Sequence, residues 1–325
     1  MDAQVQAPSP FLPDTNIQFA FDSTSLGYLK TCAQLYKYIM IDGWHDPNES
    51  VHLRFGQELH QAFQDYDRSR AVGIPHNDAL HDVIRELLIR TADFAPDPDS
   101  KAGKYKNRSA LVRAVIWYLD EHRDDPAKTY IMQDGKPAVE LSFRFELDWG
   151  PTDAPHQPYL LCGHLDRVVE FSGALYVMDH KTTYSQPSTW YFTQYHPDNQ
   201  MTLYTIASRI VIDSPIRGVI INAIQLQVND AKFGRGFTYR TPDEIEEWLT
   251  DLHYWFAQAE HYAKTNHWPK NDKSCNSYRS EADGRIGCPF REACSKSPQV
   301  REQFLKSDFT KLEEADRWNP LKSRI

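Results

Sequence analysis

The sequence predicts an α/β fold: a mixed central β-sheet flanked by helices, with a helical N-terminal part and a cysteine-bearing C-terminal tail. Three observations carry that expectation. Helical periodicity dominates the first third of the chain. Three strand-like runs then follow closely, at 139–149, 159–171 and 174–180. Beyond them the pattern returns to helix, strand and helix. Of the 325 residues, 41% are hydrophobic, which suffices for a sizeable core.

The lead-in, 1–21, is rich in proline and reads as extended or flexible. Residues 22–42 read as one capped helix, with Ser23 to Ser25 offering cap oxygens and Leu26, Leu29, Cys32, Leu35, Tyr36 and Ile39 on one face. Residues 50–70 form a second helix, with Phe55, Leu59, Phe63 and Tyr66 inward and His60 beside the stripe. A helical insertion spans about 77–123, and its Pro/Asp/Lys-rich linker reads as a surface loop. From Val139 to Trp149 apolar residues alternate as in a strand, and Glu140 starts that run. Tyr159 to Phe171 and Ala174 to His180 form a hairpin turning at Ser172-Gly173. A helix is expected over 197–212, an apolar strand over 217–228 and a helix over 241–263 that opens Thr-Pro-Asp-Glu. A last helical piece lies near 298–317. The expected parts are a lead-in (1–21), a main domain (22–267) and a C-terminal segment (268–325).

Composition excludes several classes. No apolar run approaches the roughly 18 residues of a spanning helix, so no membrane partner is expected. The N-terminus lacks a basic region and an apolar stretch, which excludes a secretory signal and points to the cytoplasm. A net charge of -9 argues against binding nucleic acid through a global positive field. It does not argue against a site that gathers carboxylates around a cation.

The chemistry concentrates in Gly163-His164-Leu165-Asp166 and Asp179-His180-Lys181. Strand alternation puts Asp179 and Lys181 on one face. A carboxylate can hold a hard cation there, and an ammonium can orient water or neutralise phosphate charge. Asp166, on the neighbouring strand, can reach the same cation. A bare D-x-K is common, and an exposed ion pair is its ordinary explanation. The context is what distinguishes it: His60 on the N-terminal helix, and Gln200 and Tyr204 at i and i+4 on the helix that follows.

Together these motifs resemble the PD-(D/E)xK nuclease superfamily, and within it the RecB-like iron–sulfur exonucleases. Gly56-Gln57-Glu58-Leu59-His60 matches the family's helix-borne histidine element. Gly163 to Asp166 matches G-x-x-D, Asp179 to Lys181 matches D-x-K with Thr182 following, and Gln200 to Tyr204 matches Q-x-x-x-Y. The resemblance runs from about 23 to 296. It implies a restriction-endonuclease-like core and a metal-dependent DNA nuclease, acting on DNA ends or single strands. His60, Asp166, Asp179 and the carbonyl of His180 would ligate Mg²⁺ or Mn²⁺. Lys181 would act on the attacking water, and Gln200 and Tyr204 would position Lys181 or the strand. A helicase, or a recombination or CRISPR-adaptation partner, is implied in the same way. The rival readings are a non-catalytic DNA-binding relative, an iron–sulfur redox protein and a hydrolase of small phosphate esters.

Cys275-x12-Cys288-x5-Cys294 matches neither paired zinc spacing nor a ferredoxin run. By spacing alone, free thiols on a polar tail explain it as well. The string Gly287 to Cys294 is similar to the cluster motif of the iron–sulfur relatives, in which one distant N-terminal cysteine joins three C-terminal ones. The resemblance thus implies a [4Fe–4S] cluster on Cys32, Cys275, Cys288 and Cys294, with Zn²⁺ as the alternative. Many relatives keep the first C-terminal pair closer than Cys275 and Cys288. Cys162 reads as a small buried hydrophobe.

Lys101, Lys104, Lys106 and Arg108 form a basic loop, either a solvated charge run or a contact for a phosphate backbone. Trp190, Tyr191, Phe192 and Tyr195 follow the D-x-K strand, and could equally pack a core or stack on bases.

Overall fold

The structure, a computed structural model, describes residues 7–47, 50–227, 230–277 and 287–322, without the side chains of Lys101 and Ser277. Val228, the last residue of the expected 217–228 strand, lies outside the described residues, as do residues 1–6 of the expected lead-in.

In chain order the elements are β1 (Ala20–Phe21), α1 (Ser23–Thr31), α2 (Ala33–Tyr36), a π-helical turn (Lys37–Ile41), β2 (Trp44–His45), α3 (Val51–Ala71), α4 (His76–Arg90), α5 (Lys101–Tyr105) and α6 (Arg108–Glu121). There follow β3 (Lys128–Thr129), β4 (Val139–Glu146), β5 (Leu160–Phe171), β6 (Ala174–Thr183), α7 (Thr189–Thr193), α8 (Asn199–Val211), β7 (Ile216–Leu226) and β8 (Ala231–Thr238). The chain ends with α9 (Pro242–Thr265), α10 (Asp272–Ser277), α11 (Arg291–Ser295), α12 (Pro298–Asp308), β9 (Thr310–Lys311) and a 3-10 turn (Glu314–Asp316). They form two compact units: Ser50–Leu141 with His164–Thr241, and Met1–Glu49 with Ser142–Gly163 and Pro242–Ile325.

The unit built from Ser50–Leu141 and His164–Thr241 carries a mixed sheet. β5 and β6 pair antiparallel, with Arg167 opposite Met178. Their turn takes Ser172 and Gly173 through positive φ, 49° and 75°, as a two-residue hairpin loop with matching twist requires. β6 and β7 run parallel, and the crossover between them contains α7 and α8. β7 is flanked on both sides and largely apolar, with Val219, Ile220, Ile221, Ala223 and Ile224 fully buried around the buried polar Asn222. β8 pairs antiparallel with β7.

α3, α4 and α6 build the helical core of this unit, around Phe55, Leu59, Phe63, Leu87, Leu111 and Val115. Ser50 caps α3, Asn107 caps α6 and Asp198 caps α8, each accepting a hydrogen bond from a first-turn backbone N–H. The linker expected as a surface loop holds a short helix, α5, and buries Phe94 and Lys106.

β8 is absent from the sequence expectation. Its two glycines, Gly234 and Gly236, weaken the strand pattern. A Cβ on Gly236 would lie 2.2 Å from Phe192, and one on Gly234 would lie 2.8 Å from Pro187. The glycines let the segment bearing α7 lie directly on the strand.

In the other unit, β1 pairs in parallel with the start of β5, Ala20 opposite Leu160. Phe21 and Phe256 stack at its core with centroids 4.3 Å apart, and Tyr159 packs on them at a tilt. The single helix expected over 22–42 is broken at Cys32, whose backbone is extended (φ -168°, ψ 120°). Its cap is Asp22, one residue before the expected serines, in a reciprocal capping box with Ser25. Among the described residues no helix is long and apolar enough to cross a membrane.

Candidate active site

The register that pairs Arg167 with Met178 brings Asp166 opposite Asp179 one step further along the hairpin. The backbone N–H of His180 donates to Asp166 Oδ2 at 3.0 Å, locking the first carboxylate to the strand that carries the second. Alternation on β6 places Lys181 beside Asp179, with Nζ 3.1 Å from Oδ2. Asp179 is 1% exposed, so this ion pair is shielded from bulk water.

α8 supplies the next layer. Lys181 Nζ donates to Gln200 Oε1 at 2.6 Å, and Gln200 Nε2 donates to Tyr204 Oη at 3.0 Å. The spacing of four puts Gln200 and Tyr204 on one helical face, and their chain of hydrogen bonds fixes where the ammonium points. α3 supplies His60, whose Nδ1 stands 3.3 Å from Asp166 Oδ2.

Charges in this cluster are strongly perturbed. Burial pushes the Asp166 carboxyl up, but His60 and the His180 N–H outweigh it and hold it well below the usual range. Burial raises Asp179 in the opposite direction. Lys181 works against that rise and Asp166 adds to it, and the result lies above the ordinary carboxylate value. Burial alone would depress His60, but Asp166 reverses that and raises it. Two carboxylates in one buried site thus separate into one firmly ionised and one that holds its proton more tightly. Perturbation of this kind gathers at reaction centres.

The His180 side chain anchors the strand. Arg235 Nε donates to Asn222 Oδ1 at 3.0 Å. Because arginine only donates, the Asn222 amide is oriented with Nδ2 facing Tyr118 Oη (2.7 Å) and His180 Nδ1 (2.9 Å). His180 Nδ1 therefore accepts, and the ring carries its proton on Nε2. Burial keeps the imidazole neutral. Asp125 holds Arg235 from the other side, at 2.7 Å. Nearby, Arg167 pairs with Asp67 at 3.0 Å and donates to Thr129 Oγ1 at 2.9 Å. His60, Phe63, Gln64, Asp67, Asp166 and His180 line a cavity of about 10 Å³. Sequence reasoning did not single out Asn222, Tyr118, Arg235 or Asp125. Their partners lie far away in the chain, and only Asn222, a polar residue inside an apolar strand, carries a local signal.

All seven residues expected at the site therefore meet: His60, Asp166, Asp179, His180, Lys181, Gln200 and Tyr204. A sequence model of the PD-(D/E)XK nuclease superfamily matches residues 23–295, a span that contains every one of them. The chain belongs to the PD-(D/E)XK nuclease superfamily.

As a member of that superfamily the protein is a nuclease, a hydrolase of phosphodiester bonds. A solved structure from Eubacterium rectale, of a protein proposed to be an exonuclease, is similar over 87% of this chain and 94% of its own, at 11% identity and a TM-score of 0.43. The family match, not this likeness, decides the assignment. No curated protein matches the chain.

The residues expected to contact substrate are placed differently from one another. Lys104 is exposed, whereas Lys106 is buried, its ammonium 5.5 Å from the ring centroids of Phe55 and Tyr184. Trp190 is 81% exposed, but the neighbouring Tyr191 is buried and its hydroxyl lies 2.9 Å from that of Tyr195. Glu140, near the start of β4, accepts from Gln64 at 2.6 Å.

In the nuclease's other unit, Cys32, Cys288 and Cys294 pack with Leu35, Tyr38, Phe290 and Leu305. The Cys288 N–H donates to the Cys275 carbonyl at 2.9 Å. Burial, helped by Cys275, Cys294 and Cys32 and opposed by a hydrogen bond from the Phe290 backbone, pushes the Cys288 thiol up to about 11. Cys162 is buried beside Ala20 and Leu160, as a small hydrophobe.

Proposed function

We propose that the protein is a metal-dependent deoxyribonuclease, an exonuclease that acts on DNA ends or single strands. The observation that carries this reading is the convergence of Asp166 and Asp179, from antiparallel strands, with Lys181 3.1 Å from Asp179. Asp166, Asp179, His60 and the His180 carbonyl are the donors that would hold Mg²⁺ or Mn²⁺. Among the described residues no group of three or more His, Cys, Asp or Glu side chains is already gathered to hold a metal ion. Mg²⁺ is commonly held by one or two carboxylates, with water and substrate phosphate completing the shell. A bound cation supplies an activated water and shields the phosphoryl oxygens.

The chain's own residues do the remaining work. Lys181, held by Gln200, presents its ammonium to the water or the phosphoryl oxygen and offsets charge that builds there. Tyr204 fixes Gln200 and so the reach of Lys181. Asp166, kept ionised by His60 and the His180 N–H, supplies negative charge without needing to lose a proton first. A cation held at Asp179 would favour its ionised form against the upward push of burial.

Cys32, Cys275, Cys288 and Cys294 suit a [4Fe–4S] cluster or, alternatively, Zn²⁺. Burial and the neighbouring cysteines raise the Cys288 and Cys294 thiols, so a cation is needed to hold these two as thiolates, and thiolates are what either centre binds. Such a centre would be structural, closing a loop from Cys32 to Cys294.

The test is cleavage of end-labelled single- and double-stranded linear DNA, and of closed circular DNA, with Mg²⁺ or Mn²⁺. Linear substrates should be shortened and the circle spared. Cleavage of the circle at the same rate would remove the end preference. No metal-dependent cleavage of any DNA would remove the function.

A further inference from the structure

Tyr184 stands just beyond β6, the strand that carries Asp179 and Lys181. It is 53% exposed, yet it is held firmly. Gln225 Nε2 donates to its carbonyl at 2.8 Å, and its hydroxyl lies 3.1 Å from His52 Nδ1, with the two rings edge to face. Lys106 Nζ lies 5.5 Å from its ring centroid. That ammonium belongs to a buried residue and pairs with no carboxylate among the described residues. A lysine in such a setting costs stability, and an anion arriving from outside would offset that cost.

The distance from the reaction centre fits a bound strand. His52, beside Tyr184, and His60, beside Asp166, lie eight residues apart on α3, about 12 Å along the helix axis. Proteins that hold single strands do so over roughly 4–16 nucleotides, combining a cation that follows the phosphates with an aromatic face for each of several bases.

We propose that Tyr184, backed by His52 and Lys106, is a nucleobase-stacking subsite for single-stranded DNA on the approach to the reaction centre. The exposed part of the ring takes a base, and the Lys106 ammonium takes an adjoining phosphate. The subsite deepens the nuclease reading, because it selects unpaired DNA: in a duplex the base is already stacked between its neighbours.

The experiment measures binding in EDTA, so that it does not depend on cleavage. Fluorescence anisotropy follows the full-length protein with a labelled oligothymidylate and with an abasic oligonucleotide of the same length. Tyr184→Ala should weaken binding of oligothymidylate about tenfold and leave the abasic strand within about twofold, from the usual range for one stacked base. Tyr184→Trp should retain binding, and Tyr184→Leu, which fills the space without a π face, should behave like alanine. Lys106→Met should weaken both strands. The proposal is overturned if Tyr184→Leu binds oligothymidylate as the wild type does, or if it loses both strands equally. A wild type that binds with this base dependence but cuts nothing would sink the nuclease reading and leave the subsite standing.

Discussion

His180 and Asp166 are joined by a backbone N–H to carboxylate hydrogen bond of 3.0 Å, so one peptide group connects the two acidic strands of the site. That peptide is also held from behind, through the His180 ring, by Asn222. The geometry of the reaction centre thus depends on a buried polar network as much as on its acids.

Asn222→Ala should therefore both destabilise and loosen the site. It orphans Arg235 Nε and His180 Nδ1 in the interior, which costs about 2–3 kcal/mol by the usual penalty for such groups. Urea unfolding measures that loss. Asn222→Asp keeps the shape but only accepts, so the proton of His180 should move to Nδ1. Histidine ¹⁵N NMR reads the change directly. An unchanged tautomer would refute the amide orientation inferred from Arg235.

Lys181→Met should lower turnover by about 10²–10⁴, the range for a group that assists proton transfer or charge neutralisation. Gln200→Ala should cost less, about tenfold, because it removes only the hydrogen bond that aims the ammonium. Single-turnover cleavage rates compare the two. A larger loss for Gln200→Ala than for Lys181→Met would reverse the assigned roles.

Burial lowers the Lys106 pKa from 10.5 to about 8. Between those values the unfolded chain holds more protons than the folded one, so this lysine makes stability rise with pH from about 8 to 10.5. Below pH 8 it costs stability throughout. Lys106→Met should flatten the rise and stabilise the protein at pH 7 by about 1–3 kcal/mol, from the cost of an unpaired buried charge. Thermal melts across pH 7–10.5 test this. A variant that melts lower than the wild type at pH 7 would contradict it.

Protein purified anaerobically should absorb in the visible and contain iron and sulfide in equal amounts. Cys288→Ser should lose both the colour and part of the thermal stability. Zinc in place of iron, at one ion per chain, would select the alternative centre on the same four cysteines.

Much of this was readable in the sequence because the relevant periodicities are local. Alternation alone placed Asp179 beside Lys181, and helical spacing placed Gln200 beside Tyr204. The hairpin between Asp166 and Asp179 followed from Ser172-Gly173. What escaped depends on contacts distant in sequence. Asn222 reaches back to Tyr118, and Arg235 to Asp125, with no motif to announce either. β8 was hidden by Gly234 and Gly236, which serve packing against Pro187 and Phe192 rather than strand propensity. The break at Cys32 was invisible to a helical stripe that continues smoothly across it. Adjacent aromatics also diverged: Trp190 faces solvent and Tyr191 does not, a choice made by tertiary packing.

The most direct measurement is the rate of cleavage of end-labelled single-stranded DNA in Mn²⁺ by the wild type and by Asp179→Asn, purified identically and matched in thermal stability. The account predicts that the wild type degrades the strand, that EDTA stops it, and that the isosteric amide is slower by at least about a hundredfold, since it removes a ligand charge and leaves the shape. Equal rates for the two proteins would contradict it.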